Sequence, residues 1–366
     1  MVRFISFLFL VLLSTAGLSQ SADCEQTLNQ ASAEFDAGRF YNLPGILKPC
    51  LDNGFSKEQK VRSYLLLTQS YLILNDPIAA ENSYLQLLTA DPEFVTNPSR
   101  DPVDVYYLSK KFTTTPVFTP SFRAGINTSL PRTIYSINTI ASPTNDENVY
   151  KIGYQLGGAL DWNLNERWSI CFGLGYSRRL FKVNLSNADA GMKNTFIEKQ
   201  DWIDIPVFVK YSDDSGRVRP FVYAGISANL LLGAKLSAEA IDFNSPSTGV
   251  QQVSQGPDVP ITYKRNFFNR SVVIGGGAKY KVAKNFLFVD VRYLMGLNNI
   301  AKNTYTDSNG QFDKLLADYP YASDLFRLDN LSFTIGYIKP LYDPRKRKPA
   351  VAGILQKLGL KKSRKK

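Results

Sequence analysis

The stretch YKIGYQLGGALDWNLNERWSICFGLGYS, residues 150–177, decides the fold class of this 366-residue chain. Apolar or aromatic side chains stand at nearly every second position on both sides of the connection 163–167, with small or polar side chains between them. This alternation is typical of β-strands that have one apolar face. The short connection favours antiparallel pairing. The stretch therefore predicts a hairpin within an all-β architecture.

The same alternation recurs through the second half of the chain and produces eight strand candidates. An even number of strands, each reaching the roughly 9 to 11 residues that a tilted strand needs to cross a bilayer, is typical of a transmembrane barrel. A soluble sandwich shows the same alternation with its apolar face turned inward. The candidates are residues 118–130, 150–162, 168–184, 195–211, 218–236, 262–282, 286–297 and 328–342.

Connection lengths and aromatic positions favour the barrel over the sandwich. Short connections alternate with long ones, as the periplasmic turns and outer loops of membrane barrels do. Aromatic residues gather at the strand ends beside the short connections, as in an interfacial girdle. These residues are Trp162, Trp168, Tyr211, Tyr280 and Tyr342. We therefore predict an all-β transmembrane barrel of eight antiparallel strands, with its apolar face toward lipid.

Three segments within the predicted strands resemble a known family. Residues 203–211, IDIPVFVKY, and 219–225, RPFVYAG, resemble the central motifs of the PorT-type outer-membrane β-barrel family, and 289–293, VDVRY, is similar to its seventh strand. The resemblance spans about residues 118–342. It implies an eight-stranded barrel in bacteria of the Bacteroidetes type and, through the family's best-known member, a part in type IX protein secretion.

The first residues have the layout of a secretory signal peptide. Arg3 precedes an apolar run over 4–13, and small and polar residues follow, so we predict a signal peptide over 1–20 and a mature start near Ser21. Lipidation at Cys24 is the alternative. The residues just before Cys24, which include Asp23, do not form the approach that this processing requires.

Residues 21–112 show helical spacing of apolar positions and form the predicted N-terminal domain. Ser56 and Gln59 have capping-box spacing, and Asp76-Pro77 is a helix start. Residues 84–92, YLQLLTADP, resemble the end of a tetratricopeptide repeat. Such repeats usually bind peptides or partner proteins. A helical spacer that positions the barrel is the alternative.

Three cysteines in an exported chain allow one disulfide and leave one thiol over. An antiparallel helical hairpin places the start of its first helix beside the end of its second, which brings Cys24 and Cys50 within bridging range. Cys171 lies in a strand pattern and is the odd one out.

The net charge of +11 is concentrated at the C-terminus, where ten Lys or Arg residues and no acid lie between Pro344 and Lys366. The rest of the chain is nearly neutral, which argues against nucleic acid as a partner. Residues 343–366 therefore form a basic tail. It is either a solvated, disordered segment or a segment that docks on an anionic periplasmic surface.

The chain has no His, which removes the commonest general base and a preferred metal ligand. We therefore predict no enzymatic activity, no catalytic residue, no metal and no cofactor. Charged residues on the inward parity of the strands are either a packed lumen of mutually neutralising groups or, as the alternative, an active site or ion path. They are Lys151, Asp161, Asp204, Lys210, Lys279, Asp290 and Arg292. Asp290 and Arg292 are expected to pair with neighbours such as Asp204 or Lys210.

These observations predict four segments: a signal peptide (1–20), a periplasmic tetratricopeptide-like domain (21–112), an outer-membrane barrel (113–342) and a basic periplasmic tail (343–366). The expected function is a barrel that anchors a periplasmic interaction domain, as a secretion or envelope-assembly accessory. The expected partners are outer-membrane lipid and a periplasmic protein. The alternative is a barrel that binds surface ligands or small solutes through the long loops 237–261 and 298–327.

Overall fold

The computed structural model of the protein describes residues 23–135, 147–187, 192–213, 215–242, 252–302 and 324–347. The chain divides into two compact units, one of Met1–Pro116 with Tyr342–Lys366 and the other of Val117–Leu341. Residues 342–347 thus group with the helical unit, whereas the sequence placed 342 in the barrel and 343 onward in a separate tail. The predicted signal peptide and most of the basic tail lie outside the described residues.

The first unit is helical. Its helices are α1 (23–36), α2 (Leu43–Asp52), α3 (Lys57–Ile73), α4 (Pro77–Ala90) and α5 (Val103–Ser109), with a 3-10 turn over Phe40–Asn42. Among the described helices, none combines the length and apolarity that crossing a bilayer requires.

Local capping chemistry explains where two of these helices begin. The Ser56 hydroxyl accepts from the Gln59 backbone N–H, and the Gln59 side chain accepts from the Ser56 N–H at 2.8 Å. This confirms the predicted capping box, which satisfies two of the unpaired donors at a helix start. The Asp76 carboxylate accepts from the Ala79 N–H at 3.0 Å, and Pro77 occupies the first turn of α4.

Cys24 and Cys50 form a disulfide in the helical unit, with their Cα atoms 5.7 Å apart and a sequence separation of 26. Gly54 lies against this bridge with φ of +138°, and a Cβ built on it would lie 2.6 Å from Cys24 Sγ. Only glycine suits that conformation and that contact. Cys171 is a buried free thiol.

We expect non-reducing peptide mapping of envelope material to recover the Cys24–Cys50 bridge. A loop of 26 residues gives a loss of stability of about 3 to 4 kcal/mol on removing the bridge, because the unfolded chain gains conformational freedom. Thermal unfolding of a Cys24→Ser/Cys50→Ser variant measures this loss. A Cys171→Ser variant is the matched control and should leave the helical unit unchanged. Free thiols at both positions in envelope material contradict the prediction.

A two-residue sheet ties the chain's return into the helical unit. Strand β1 (Phe112–Thr113) pairs antiparallel with β12 (Arg345–Lys346). The Arg347 N–H donates to the Lys111 carbonyl at 2.7 Å. The sequence did not predict this pairing, because two-residue strands carry no detectable alternation.

The second unit is a closed ring of eight antiparallel strands. The eighth strand pairs with the first, with Ile338 opposite Ser121, so the ring has no free edge. The ring strands are β2 (Phe118–Tyr135), β4 (Ile152–Asn163), β5 (Trp168–Asn187), β6 (Met192–Ser212), β7 (Val218–Asp242), β9 (Phe268–Val282), β10 (Asn285–Gly296) and β11 (Leu325–Ile338). This confirms the predicted eight-stranded antiparallel barrel.

Two short strands and several strand ends differ from the prediction. Strand β3 (Glu147–Tyr150) pairs with β5, and β8 (Gln252–Pro260) pairs with β7 beyond the ring. The predicted strand 262–282 begins only at Phe268, because Thr262–Lys264 form a 3-10 turn. The predicted strand 328–342 ends at Ile338, before Pro340, which cannot donate to a ladder.

The two faces of the barrel differ as the alternation predicts. On β4 and β5, apolar side chains such as Ile152, Leu156 and Leu174 point outward and are exposed. Inward positions on the same strands include Asp161 and Arg179, and both are buried. An outer surface that is apolar all round requires an apolar solvent.

Candidate functional site

The interior of the barrel is filled in three layers. At the end with the short connections, aromatic side chains pack with Cys171 and Ile338, and we call this the short-turn cluster. At the end with the long connections, a second apolar group surrounds Trp202, and we call it the long-loop cluster. A layer of amide, hydroxyl and charged groups separates them, and we call it the polar belt. It comprises Arg123, Asn127, Ser177, Arg179, Asp204, Asn229, Asn269, Ser271, Asp290, Arg292 and Thr334. The short-turn cluster comprises Cys171, Phe208, Phe221, Tyr223, Val273, Phe286, Phe288, Leu294 and Ile338, and the long-loop cluster comprises Phe181, Phe196, Trp202, Leu231, Ala234, Leu236, Ile261, Ile300, Ala301, Phe326 and Leu328.

Asp161 and Lys210 form an ion pair beside the short-turn cluster, and their side chains are 5% and 15% exposed. Lys279 lies with its Nζ 5.4 Å from the centre of the Phe286 ring. Lys151 lies between β3 and β4, outside any strand, and is partly buried. The structure therefore brings two of the predicted lumen charges together here and places Lys151 apart from them.

Asp290 and Arg292 lie on adjacent inward positions of β10 and share a partner. The Tyr223 hydroxyl donates to Asp290 and accepts from Arg292 Nε at 2.9 Å. The Thr334 hydroxyl also donates to Asp290, and Arg292 Nη2 lies 3.6 Å from its carboxylate. A Cβ on Gly275 would lie 2.4 Å from the Tyr223 ring, so that glycine makes room for the tyrosine.

Asp204 is held by a different set of donors. It accepts from Arg179 Nη2 at 2.6 Å, from the Ser177 hydroxyl at 2.7 Å and from the Asn229 amide. Pairing of Arg292 or Asp290 with Asp204 or Lys210, which inward parity alone had suggested, is wrong. Each of these charges is satisfied by other inward-facing side chains instead.

A fully buried ion pair joins Glu198 to Arg265 within the long-loop cluster. Arg265 donates from Nε and Nη2 to the two carboxylate oxygens at 2.6 Å each, and the side chains are 1% and 0% exposed. Glu198 could have been recognised in the sequence as an inward-facing charge, because it lies on the inward parity of β6. Arg265 could not be recognised as its partner from the sequence, because it follows the 3-10 turn, where a strand had been predicted.

The polar belt contains buried amides without a partner among the described residues. The side-chain O and N atoms of Asn127 and Asn269, and Nη1 of Arg179, are buried and make no hydrogen bond. Buried polar groups in native proteins are nearly always hydrogen-bonded, to protein or to bound water. Within this layer lies a cavity of about 20 Å³ lined by Arg123, Arg292 and other groups, which is room for one or two waters.

Lys264 lies at the long-loop end, in the 3-10 turn outside the ring strands, and is 4% exposed. Burial, together with the charge of Arg265, lowers the pKa of Lys264 to about 8. Among the described residues, no three carboxylate, thiol or imidazole groups converge as a metal site.

A closed antiparallel ring with an apolar exterior and a polar, charged interior defines a transmembrane β-barrel. Residues 118–302 match the outer membrane protein beta-barrel domain family, which is just over half of the chain. The chain belongs to this family, and this places it in the bacterial outer membrane, with membrane lipid around the barrel. The sequence search found no match among curated proteins.

Solved outer-membrane barrels resemble the fold at low identity. OprG from Pseudomonas aeruginosa is 9% identical with a TM-score of 0.35, and the match covers 64% of this chain and 99% of that chain. The outer membrane enzyme PagL is 14% identical with a TM-score of 0.22, over 61% and 99%. The outer membrane protease OmpT from Escherichia coli is 11% identical with a TM-score of 0.23, over 62% and 97%.

The expectation that this chain is not an enzyme, which was drawn from the missing His, is wrong as an exclusion. The similar barrels include an enzyme and a protease, so membership of this fold class does not exclude catalysis. The missing His removes one type of catalytic group and leaves carboxylates, hydroxyls and cationic side chains in place. Likeness at these identities assigns no reaction to this chain.

Proposed function

We propose that the barrel anchors the helical unit on the periplasmic side of the outer membrane, where the unit binds a protein partner in secretion or envelope assembly. The observation that carries the proposal is the double connection between the barrel and the helical unit. The chain leaves the helical unit after Pro116 and returns to it at Tyr342. A unit attached at both ends of a membrane barrel is held at the membrane.

The position of the barrel ends supports the periplasmic side. Strand β2 begins at the short-turn end of the ring, where Phe118 pairs with Trp162. Strand β11 ends at the same end, where Ile338 pairs with Phe286. Short turns of outer-membrane barrels face the periplasm. The Cys24–Cys50 bridge suits that compartment, since disulfides persist in the bacterial periplasm.

The filled lumen supports an anchoring role over a pore. Apolar clusters occupy both ends of the interior among the described residues, and an eight-stranded ring has an interior just wide enough for side chains to fill. The resemblance of 203–211 and 219–225 to PorT-type barrels supports an accessory role in secretion. The successive helices α1 to α4 support a tetratricopeptide-like, partner-binding function.

The exposed surface of the helical unit offers aromatic anchors for a partner. Tyr41 and Tyr107 are 84% and 61% exposed. Tyrosine is enriched at protein interfaces because its ring buries a large area and its hydroxyl bonds at the rim.

A second function, the binding of surface ligands, is favoured by the long-loop end. Strands β5, β6 and β7 have 20, 21 and 25 residues, about twice what spanning requires. Strand β8 adds to β7 there, with Leu236 opposite Val259. This wall extends beyond the membrane and presents a surface at the opposite end.

Photo-crosslinking at matched tyrosines distinguishes the two functions. A photoreactive phenylalanine analogue replaces Tyr41 or Tyr107 in the helical unit, or Tyr135 or Tyr150 at the long-loop end, where both are 66% exposed. We expect protein adducts in intact envelopes at Tyr41 or Tyr107 and none at the other pair. Adducts confined to Tyr135 or Tyr150 contradict the anchoring proposal and favour surface binding.

A further inference from the structure

We propose that the polar belt of the barrel binds one small monovalent anion of the chloride type, in the cavity lined by Arg123 and Arg292. This site is separate from the anchoring function and stands or falls independently of it.

The charges around the polar belt do not balance. Among the described residues, three guanidinium groups belong to this layer, on Arg123, Arg179 and Arg292, against the two carboxylates of Asp204 and Asp290. One positive charge therefore remains. A buried charge without a counter-charge is expensive in a low-dielectric interior, so a bound anion would stabilise this layer.

Both carboxylates of the polar belt already have donors on the barrel wall. Asp204 accepts from Arg179, Ser177 and Asn229. Asp290 is occupied in the same way by Tyr223, Thr334 and Arg292.

Arg123 is the guanidinium left over. It forms no hydrogen bond or ion pair with any described residue, and it lines the cavity. Its five N–H donors therefore lack an acceptor on the described barrel wall.

The size and lining of the cavity limit which ligand it can hold. Its volume is about 20 Å³, which suits a monatomic ion or one or two waters and excludes a phosphate ester or a nucleotide. Gln155 and Ser227 also line it and offer neutral donors, whereas Val273 and Leu294 close it with apolar surface. Asp204 lines it too, but its oxygens are already bonded to their own donors. Cationic and neutral donors against an apolar wall are the surroundings that a partly dehydrated halide prefers.

The test measures whether chloride stabilises the folded full-length protein in detergent micelles. Urea unfolding is compared in sodium chloride and in sodium gluconate at equal ionic strength, since gluconate is too large for the cavity. Chloride at about ten times its dissociation constant should lower the unfolding equilibrium constant by about tenfold. The Arg123→Gln variant should lose this dependence. Arg178→Gln removes an arginine that pairs with Asp201 and does not line the cavity, and this variant should keep the chloride dependence.

A second measurement does not depend on how the variant folds. Crystals of the wild-type full-length protein grown in sodium bromide should show an anomalous bromide peak in hydrogen-bonding contact with Arg123. Absence of bromide from the lumen, with water alone in the cavity, overturns the proposal. Equal chloride dependence in Arg123→Gln and the wild type also overturns it.

Discussion

Replacing Glu198 by Ala is expected to destabilise the barrel by about 3 to 5 kcal/mol. The substitution removes the carboxylate that pairs with Arg265, whose side chain is fully buried. Arg265 would remain inside an apolar cluster, with its guanidinium 5.4 Å from the centre of the Phe326 ring. An uncompensated charge in such surroundings carries most of its desolvation cost.

The loss extends beyond the ion pair, because Glu198 begins a chain of hydrogen bonds. Gln200 Nε2 donates to Glu198, and the Trp202 indole N–H donates to Gln200 Oε1 at 2.8 Å. Removing the carboxylate leaves Gln200 without its acceptor. A buried polar group that loses its partner costs about 1 to 3 kcal/mol, and this cost is partly included in the range above.

Urea unfolding in micelles measures the effect, and the neighbouring residue supplies the control. Lys199 pairs with Asp258 on the surface, where the side chains are 38% and 49% exposed, so Lys199→Ala should cost about 1 kcal/mol or less. A Glu198→Leu/Arg265→Met variant should recover much of the loss, since apolar replacements of a buried pair are often neutral. Equal costs for Glu198→Ala and Lys199→Ala contradict the interpretation.

Replacing Arg292 by Ala is expected to cost about 3 to 5 kcal/mol if its contact with Asp290 is dry. Asp290 is 3% exposed and would keep only the neutral hydroxyls of Tyr223 and Thr334. The Tyr223 hydroxyl would also lose the guanidinium that donates to it. The carboxylate would then lose its guanidinium partner on the same strand, and Arg123, which lines the same cavity, would be the cation left nearby.

Heat-modifiability on gels and the urea midpoint both report this loss. Arg178→Ala serves as the control, because its pair with Asp201 is 39% and 29% exposed and should contribute about 1 kcal/mol or less. An unchanged midpoint for Arg292→Ala shows that water already screens the pair.

The alternation of residues 150–177 was sufficient to predict β4 and β5, because each side of a strand faces a different solvent over its whole length. The same parity identified Asp161, Asp204 and Asp290 as inward. Parity along one strand contains no information on contacts across the ring. Tyr223 and Thr334 were therefore not recognised as the partners of Asp290.

Segments without periodicity were missed for a different reason. The 3-10 turn at Thr262–Lys264 contains apolar and polar residues in an order that also fits a strand. The two-residue ladder of Phe112 and Thr113 with Lys346 and Arg345 joins segments that are far apart in sequence. Such contacts form only in the folded chain, and no local pattern indicates them.

The distribution of tryptophan provides the most direct test of the central claim, a barrel with an apolar outer face in lipid and a packed lumen. The chain has three tryptophans. Trp162 and Trp168 are 44% and 46% exposed on the outer face, whereas Trp202 is fully buried in the lumen. A Trp162→Phe/Trp168→Phe variant retains only Trp202.

The measurement is tryptophan fluorescence of both proteins reconstituted in bilayers of brominated lipid, which quenches an indole only at contact distance. We predict strong quenching of the wild type and nearly full emission from the double variant relative to the same proteins in unbrominated bilayers. Quenching of Trp202 as strong as that of the wild type, or no quenching of the wild type, would contradict a lipid-facing outer surface around a packed lumen.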